Sequence, residues 1–389
     1  MAVGIEGVSQ QPREHIYLSS LFWDGLWIIQ QPICHEIQKT EPVLFVERPV
    51  SVFTVLRYPR LWPRLFQWLR GARQVTARLR VLAPLPLFHL GHRLPWLFRL
   101  DLAIQRWWIL RWAGRSDRAR VLWVDHPVFE SAIDRMGETL AIYHVGDDAA
   151  EFRTSHRATI ERLEVATLRK ASVVFAAADG LAESRRSSNP RTFAIQNAID
   201  TSVFEAPDPV AELTDVDAIA KPRVAFIGVL DSWVDLELIA ATARGLRDVQ
   251  FVIVGPSMLD DRAVRALENV HFLGPRHRRL VPGILRRVSA SLVPFRRTAL
   301  TARIVPAKIF EALAAGVLPV CTPFSRNLDV FERQGLVAVG RSEAEFIDHV
   351  RRAIRSDQPA RRRELAAFGM RQTWSQRWLQ MKALLDGAA

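Results

Sequence analysis

Short runs of β-branched and aromatic residues recur along this chain, and stretches of helical composition separate them. In chain order the runs are VLFV (43–46), VLWV (121–124), AIYHV (141–145), VVFAA (173–177), VAFIG (224–228), QFVIVG (250–255), VHFLG (270–274), ASLVPF (290–295) and VLPVCT (317–322). Continuous apolar strands that alternate with helices are typical of parallel sheets covered on both faces. Because the set occurs twice in 389 residues, the pattern predicts two doubly wound, Rossmann-like α/β domains.

The division between the two sets falls at 206–222, APDPVAELTDVDAIAKP. This acidic segment has three prolines and no strong periodicity, so it is interpreted as a linker. The prediction is an N-terminal domain at 1–205, a C-terminal domain at 223–370 and a final helix in 371–389, with the option that this helix packs back on the N-terminal domain. Such folds bind ligands at the carboxyl ends of their strands, so the two sheets are expected to face each other across a cleft.

Positive charge is concentrated in residues 53–120. This stretch holds 14 arginines, no Lys or Glu and two Asp, which equals the whole chain's excess of +12, and it holds six of the 12 tryptophans. Arg and Trp together suit binding to an anionic surface that has an apolar layer beneath it, as at the face of a bilayer. Nucleic acid is the other anionic partner, but the stretch contains no nucleic-acid-binding motif. An alternative is an Arg-rich chain in which Trp fills an ordinary core.

Other classes are excluded by what the sequence lacks. Two cysteines make no disulfide framework and suit a reducing cytoplasm. The longest uncharged apolar stretch near the middle has 12 residues and two prolines, against about 20 for a spanning helix, and the start lacks a signal-peptide pattern. No metal-ligand motif occurs, so no metal or other cofactor is expected. These points predict a cytoplasmic protein, peripheral on the inner face of the membrane.

The sharpest motif lies in residues 292–320, where a strand, a basic loop and the helix PAKIFEALAAG follow one another. Lys308 and Glu311 share one face of that helix. A phosphate at the helix start would meet free N–H groups and Lys308, and Glu311 could accept hydrogen bonds from the two hydroxyls of a ribose. The alternative is a surface helix with an ion pair between these side chains. The arginines of the loop favour the anion site.

A second group of polar residues follows the strand AIYHV, namely His144, Asp147 and Asp148. Side chains at the carboxyl end of a strand can reach a ligand. A histidine there could hydrogen-bond a ligand and shift protons near neutral pH, and a carboxylate beside it could fix its tautomer or stabilise developing positive charge. The alternatives are that an aspartate caps the next helix and that the histidine packs in the interior. His126, in VDHP, is a weaker candidate of the same kind.

The third group is SSLFWDGLW, where Asp24 follows an apolar run and Gly25 permits a tight turn. A ligand-facing loop and a plain strand-to-helix turn both explain it. Asn197, in QNAID, is likewise open between a capping role and a cleft-lining role.

The run PAKIFEALAAGVLPV resembles the donor-binding P-x-K-x-x-E-x-x-A-x-G segment of GT-B glycosyltransferases. It is most similar to retaining enzymes of the glycosyltransferase 4 type that build bacterial surface polysaccharides, including the teichuronic-acid type. Other segments resemble that family in the same order: WDGLWIIQQP, IYHVGDDAAEF, IQNAIDTSVF, AFIGVLDSWVDLELI, FVIVGP and NVHFLGPR. The likeness covers about residues 20–325.

The resemblance implies a GT-B fold and transfer of a sugar from a nucleotide diphosphate sugar, with UDP favoured, to a saccharide or lipid-linked acceptor. Retention at the anomeric carbon is implied by the resemblance as well. The donor-binding residues would be Gly228, Arg276, Arg303, Lys308 and Glu311. The catalytic residues would be His144 and Asp147, and the acceptor-binding residues Asp24, Gly25 and Asp148.

The chain departs from the family pattern in three places. The turn at Gly228 lacks the Arg and Lys that often bind the donor diphosphate shortly after it. Arg303 stands where the first glutamate of an E-x7-E pair is usual, and Gln31 stands where the W-Q-R-P motif has Arg. Two other classes of function stay open at this point: a non-catalytic saccharide-binding or assembly protein of the same fold, and a basic nucleic-acid-binding protein.

Overall fold

Two sheets organise the chain, each in its own compact unit. The computed structural model describes residues 12–387 except 26, 52–54, 57, 87–94, 115 and 152–156, and only the backbone of 95–99. The first unit is Met1–Ala176, Ala182–Ile195 and Trp378–Ala389, and the second is Ala177–Leu181 and Gln196–Arg377.

The sheet of the first unit has eight strands in the order β3-β4-β2-β1-β5-β6-β7-β8. The strands are β1 Arg13–Leu18, β2 Val43–Val46, β3 Ala72–Thr76, β4 Leu79–Leu82, β5 Ala119–Val124, β6 Leu140–Val145, β7 Val173–Ala176 and β8 Thr192–Ala194. All neighbours are parallel except β3 and β4, which pair antiparallel at one edge. β1 and β5 therefore lie in the middle of the sheet.

Helices connect these strands. The α-helices are α1 Gln30–Ile37, α2 Pro95–Ala113, α3 Arg157–Lys170 and α4 Asp179–Arg186. Short 3-10 helices span Pro59–Arg70, Pro127–Ala132 and Ala149–Glu151. No helix in the described ranges is both long and apolar enough to cross a bilayer.

The sheet of the second unit has six parallel strands in the order β11-β10-β9-β12-β13-β14. The strands are β9 Arg223–Ile227, β10 Gln250–Val254, β11 Val270–Gly274, β12 Ala290–Val293, β13 Leu318–Cys321 and β14 Ala338–Val339. The helices are α5 Thr201–Phe204, α6 Thr214–Asp217, α7 Leu236–Gly245, α8 Arg262–Arg265, α9 Val281–Arg286, α10 Ala307–Ala314, α11 Asp329–Arg333, α12 Glu343–Arg355 and α13 Pro359–Gly369. The expectation of two doubly wound parallel-sheet domains is confirmed.

The segment 206–222 is part of the second unit rather than a linker, and the unit begins at Gln196 after the short piece Ala177–Leu181. Leu213 and Val216 are fully buried in the core of that unit. The acidic residues of the segment, which favoured its interpretation as a linker, form ion pairs with arginines of the same unit. Asp208 and Asp217, for example, both bind Arg287.

The last helix, α14 Trp374–Asp386, reaches the first unit, which includes the chain from Trp378 onward. The Trp378 ring lies 6.3 Å from that of Trp123 on β5 and 6.0 Å from that of His15 on β1. Arg13 binds Asp386 at 2.6 Å. The predicted apolar side of this helix (Trp374, Trp378, Met381 and Leu385) is buried throughout.

Candidate functional site

The start of α10 lies just beyond the basic loop of the second unit. Pro306 is its N-cap and supplies no side-chain hydrogen bond to the first turn. Ile309 and Phe310 are fully buried, so Lys308 falls on the opposite, half-buried side. Asn197 donates to the Val305 carbonyl at 3.0 Å and so holds the chain that enters the helix. The free N–H groups and the positive dipole end make this helix start a favourable place for an anion.

Lys308 lies between two aromatic rings at the carboxyl edge of the sheet. Its Nζ is 4.2 Å from the ring centre of Phe226 and 4.8 Å from that of Phe295. A Cβ at Gly228 would come 2.7 Å from Nζ, and the Gly228 φ of +143° is one that L side chains rarely adopt. Burial lowers the pKa of Lys308 to about 8. A side chain at position 228 would therefore be strained by its backbone conformation and would displace the Lys308 ammonium group from its present place.

Glu311 lies one turn further along α10 and is also half-buried. Burial raises its pKa, while the charges of Lys308 and Arg278 oppose that rise. Within the described ranges, neither Lys308 nor Glu311 makes a side-chain hydrogen bond or an ion pair within 4.0 Å. The alternative of an ion pair between them is therefore wrong, and a cation and a carboxylate remain open to a ligand.

The arginines of this region are placed differently from one another. Arg276 forms an ion pair with Asp215 on α6, and this contact holds the 206–222 segment against the rest of the second unit. Arg303 ends the 3-10 turn Thr301–Arg303 just before α10. Arg278, which the sequence reasoning missed, pairs with Asp200 at 2.5 Å and acts electrostatically on Glu311. It lies in the basic run RHRR after β11, a signal too general to single it out.

A cavity of about 280 Å³ lies elsewhere in the second unit. Its lining includes the acidic residues Asp235, Glu237 and Glu343 and neither Lys308 nor Glu311. Its single basic lining residue, Arg341, is bound to Glu332 at 2.7 Å. This lining opposes an anionic ligand, and none of the lining residues belongs to α10.

In the first unit, His144 lies near the carboxyl end of β6 and is 2% exposed. Its Nδ1 and the Tyr17 hydroxyl are joined by a hydrogen bond of 3.0 Å. Its ring packs edge-on against Trp123, with centres 6.0 Å apart. Burial lowers the pKa of His144 to about 4, so the ring is neutral at physiological pH. The aromatic packing fits the interior role considered above, and Nε2 has no partner in the described part of the chain.

Asp147 and Asp148 follow β6 and differ sharply in environment. Asp148 is 5% exposed and lies 3.4 Å from Arg185, which also pairs with Glu164 at 3.0 Å. This buried network ties the strand end to α3 and α4, which differs from the predicted acceptor-binding role of Asp148. Asp147 makes no side-chain hydrogen bond or ion pair in the described ranges. Burial, followed by the charge of Asp148, raises the Asp147 pKa to about 6.

The loop with Asp24 and Gly25 is exposed at its tip. Asp24 binds Arg73 on β3 at 3.0 Å, and the Gly25 N–H donates to the Phe22 carbonyl at 3.1 Å. These contacts fit a plain turn fixed to the neighbouring strand. His126 caps the next 3-10 helix, its Nδ1 accepting from the Val128 N–H at 3.3 Å.

Asp125 is a further polar residue at this edge that the sequence reasoning passed over. It comes directly after β5, and its carboxylate accepts from Ser19 Oγ, the Ser20 N–H and Gln30 Nε2 at 2.8–3.0 Å. Burial raises its pKa to about 6, against the effect of these hydrogen bonds. An acidic residue immediately after the strand VLWV was the available signal.

Comparison with known proteins identifies the second unit by sequence. Residues 221–356 match the family model Glycosyl transferases group 1. A relative among curated proteins is the putative teichuronic acid biosynthesis glycosyltransferase TuaH of Bacillus subtilis, 22% identical over 175 residues. That match spans 43% of this chain and 43% of TuaH, less than half of the relative's length.

Solved structures match over nearly the whole chain at low identity. Anabaena Alr3699/HepE in complex with UDP and glucose has a TM-score of 0.66 at 14% identity, over 96% of this chain and 99% of its own. Sucrose-phosphate synthase from Thermosynechococcus elongatus has a TM-score of 0.69 at 14% identity, over 96% and 99%. The chain therefore has the GT-B fold, and its residues 221–356 match the Glycosyl transferases group 1 model.

Proposed function

We propose that this protein is a glycosyltransferase that moves a sugar from a nucleotide diphosphate sugar, with UDP favoured, to a saccharide or lipid-linked acceptor at the membrane face, with retention and without a metal. The observation that carries the proposal is the Lys308 ammonium group beside Gly228, with the Glu311 carboxylate one turn further along; neither has an ion-pair partner among the residues that the structure describes. This arrangement supports a nucleotide-sugar site, and turnover is what distinguishes an enzyme from a non-catalytic binding protein of the same fold.

On the donor side, the diphosphate would bind the first N–H groups of α10 and the Lys308 ammonium group. Glu311 would accept hydrogen bonds from the ribose hydroxyls. Lys308 and the helix dipole would then stabilise the negative charge of the nucleotide as it leaves, which is electrostatic catalysis without a metal. UDP is favoured because HepE has been solved with UDP and with UDP-glucose, and an E. coli neighbour with UDP-2-fluoro glucose.

On the acceptor side, Asp147 is proposed to stabilise positive charge on the sugar ring, since its carboxylate has no protein partner in the described ranges and is held partly out of water. His144 is proposed to hydrogen-bond the transferred sugar through Nε2, because Nδ1 is engaged by Tyr17. Neither residue is assigned as the general base, since the leaving phosphate can take that part.

Peripheral binding to anionic lipid is proposed through the stretch 53–120. Its 3-10 helix Pro59–Arg70 turns Leu65 inward and leaves Trp62, Phe66 and Leu69 exposed by 51%, 49% and 64%. The exposed Arg60 and Arg70 flank these apolar side chains. Apolar side chains rimmed by arginine are the chemistry that enters a lipid interface.

Calorimetry with UDP, GDP and ADP tests the donor proposal directly. We expect UDP to bind the wild type, and Lys308→Met and Glu311→Gln each to bind it more weakly, since a charge-assisted hydrogen bond contributes about 1.5–3 kcal/mol. Glu364→Gln, an exposed acid on α13 paired with Arg361, is the matched control and should bind as the wild type does. A wild type that binds none of the three nucleotides contradicts the proposal.

Turnover then separates an enzyme from a binding protein. We expect release of UDP from at least one UDP-hexose when a membrane or saccharide acceptor is supplied, and loss of that release in Asp147→Asn with nucleotide affinity retained. A protein that binds UDP but never turns over a UDP-sugar would be the non-catalytic alternative.

A further inference from the structure

Arg48 and His126 flank one loop at the carboxyl edge of the first unit's sheet. Arg48 follows β2, and its N–H donates to the Leu21 carbonyl at 3.2 Å. His126 follows β5 and its neighbour Asp125, whose carboxylate accepts from the Ser20 N–H at 2.8 Å. Because β1 lies between β2 and β5, the loop that follows β1 has Arg48 on one side and His126 on the other. The proposed donor chemistry uses neither side chain.

Arg48 carries a positive charge that no neighbouring carboxylate balances. It is exposed, and among the described residues no Asp or Glu lies within 4.0 Å of its guanidinium group. That group lies 5.6 Å from the centre of the Phe22 ring in the flanked loop. The adjacent Glu47 is bound to Arg64 at 3.2 Å, and Asp125 is held by its own hydrogen bonds. Arg48 therefore offers a planar fork of N–H donors to an anion.

His126 presents a hydrogen-bond donor beside that charge. Burial, followed by the charge of Arg48, lowers the pKa of His126 to about 4, so the ring is neutral at physiological pH. Its Nδ1 accepts from the Val128 N–H at 3.3 Å, so the proton of the neutral ring is on Nε2. Nε2 has no hydrogen-bond partner in the described part of the chain, and His126 is only half-buried. The charge of Arg48 reaches this ring, so both groups can serve one ligand.

Resting on the proposed function, we propose that Arg48 and His126 bind a phosphate group of the acceptor. A guanidinium fork and an imidazole N–H can bind different oxygens of one phosphate. A neutral hydroxyl would make no use of the Arg48 charge, and the oxygens of a carboxylate would be engaged by the guanidinium fork alone. The acceptor class is therefore a phosphorylated saccharide, or a saccharide joined to its lipid through phosphate, rather than a free neutral sugar.

The test is calorimetry on the full chain in saturating UDP, which keeps the phosphate probes from binding at Lys308. The probes are glucose 6-phosphate compared with glucose, and geranyl phosphate compared with geraniol; methyl glucuronide represents a carboxylate. We expect at least one phosphate to bind at least tenfold more tightly than its uncharged counterpart. Arg48→Gln should weaken that phosphate at least tenfold. His126→Ser should weaken it about threefold to tenfold, and serine can still cap the 3-10 helix as His126 does.

Arg118→Gln is the control. Arg118 is also exposed, but it precedes β5 and so lies at the opposite, amino edge of the same sheet. This variant should leave every phosphate affinity unchanged. UDP affinity and melting temperature are measured on all variants, so that loss of the site is separated from loss of the fold. Preference for glucose 6-phosphate would assign the group to a sugar phosphate, and preference for geranyl phosphate would assign it to a lipid linkage.

Three results would overturn the inference: neither phosphate binds better than its uncharged counterpart, both site variants bind like the wild type, or the glucuronide binds more tightly than both phosphates. Failure of UDP to bind the wild type would overturn the proposed donor function instead. The phosphates are then titrated without UDP. Weakening in Arg48→Gln would still support the acceptor site, whereas weakening in Lys308→Met alone would overturn it.

Discussion

At the scale of single residues, the two halves of the candidate site differ in how far the sequence could go. Lys308 and Glu311 lie three residues apart on one helix, so their shared face follows from helical geometry and was predictable. Asp125 is visible after its strand, but its partners Ser19 and Gln30 are 106 and 95 residues away. Only the pairing of β1 with β5 brings these segments together, so no local pattern could reveal the hydrogen bonds of this carboxylate.

Lys308 should make nucleotide binding depend on pH. Because burial lowers its pKa to about 8, the ammonium form is lost as the pH rises past that value. We expect UDP affinity to fall between about pH 7 and about pH 9, and UDP binding near pH 8 to take up a proton because the diphosphate favours the charged form. Calorimetry in two buffers of different ionisation enthalpy measures that uptake. In Lys308→Met both effects should vanish; an unchanged pH dependence in this variant would exclude Lys308.

The ionised Asp147 carboxylate should lower the free energy of unfolding, although it is proposed to support the sugar transfer. Its pKa is raised to about 6, so the folded protein holds the proton more tightly than the unfolded chain, and the free energy of unfolding falls as the pH rises from about 4 to about 6. Asp147→Asn should therefore be more stable than the wild type at pH 7, by up to about 3 kcal/mol, and equal to it near pH 3.5. Urea unfolding at both pH values gives the difference, and turnover should fall at least tenfold. A variant that is less stable than the wild type at pH 7 would show that the ionised Asp147 carboxylate does not destabilise the folded protein.

At the scale of elements, the strands that were predicted are those with uninterrupted apolar runs, and the one missed at the centre of a sheet is β1. Its sequence, REHIYL, begins with three polar residues that would normally exclude a central strand. Each has a specific partner from a distant segment: Arg13 binds Asp386, Glu14 binds Arg120 and His15 binds Glu41. Composition cannot anticipate partners of this kind, because they are supplied by the tertiary fold.

The 3-10 helix Pro59–Arg70 is the element that should govern lipid binding. Arg64 anchors it to Glu47 at 3.2 Å, so the outward position of Trp62 and Phe66 is fixed by the fold. We expect flotation with vesicles containing phosphatidylglycerol and not with neutral vesicles, weakening as salt rises. Replacing Trp62 and Phe66 together by Ser should weaken binding at least tenfold, whereas Met258→Ser, an exposed apolar residue of the second unit, should not. Binding that ignores lipid charge and salt would contradict electrostatic docking.

At the scale of the whole molecule, the number and class of the domains were predictable, and their boundaries were not. The second unit takes in the segment 206–222 because two apolar residues within it reach the core. The first unit is built from three separate pieces of chain, the last being Trp378–Ala389. Composition predicts a domain boundary where the sequence becomes polar. In the folded chain, the boundary lies where residues stop contacting one unit and begin to contact the other.

Removing residues 378–389 should therefore destabilise the first unit rather than the second. The deletion uncovers Trp123 and His15 and removes the buried Met381 and Leu385, each such side chain contributing about 1.5–3 kcal/mol. Hydrogen exchange should show lost protection in β1 and β5 and unchanged protection in β9 and β10. Leu379→Ser, which alters an exposed position of the same helix, should change neither. Equal loss in both sheets would mean that the units do not fold independently.

The contact of α14 with β1 and β5 also bears on the order in which the protein matures during translation. Domains usually complete themselves in the order in which they leave the ribosome. Here Trp378 and the residues after it emerge only after the whole of Gln196–Arg377. The unit that begins the chain is therefore expected to finish folding second, and to depend until then on chaperones or its own partial structure to shield the face that Trp378 will cover.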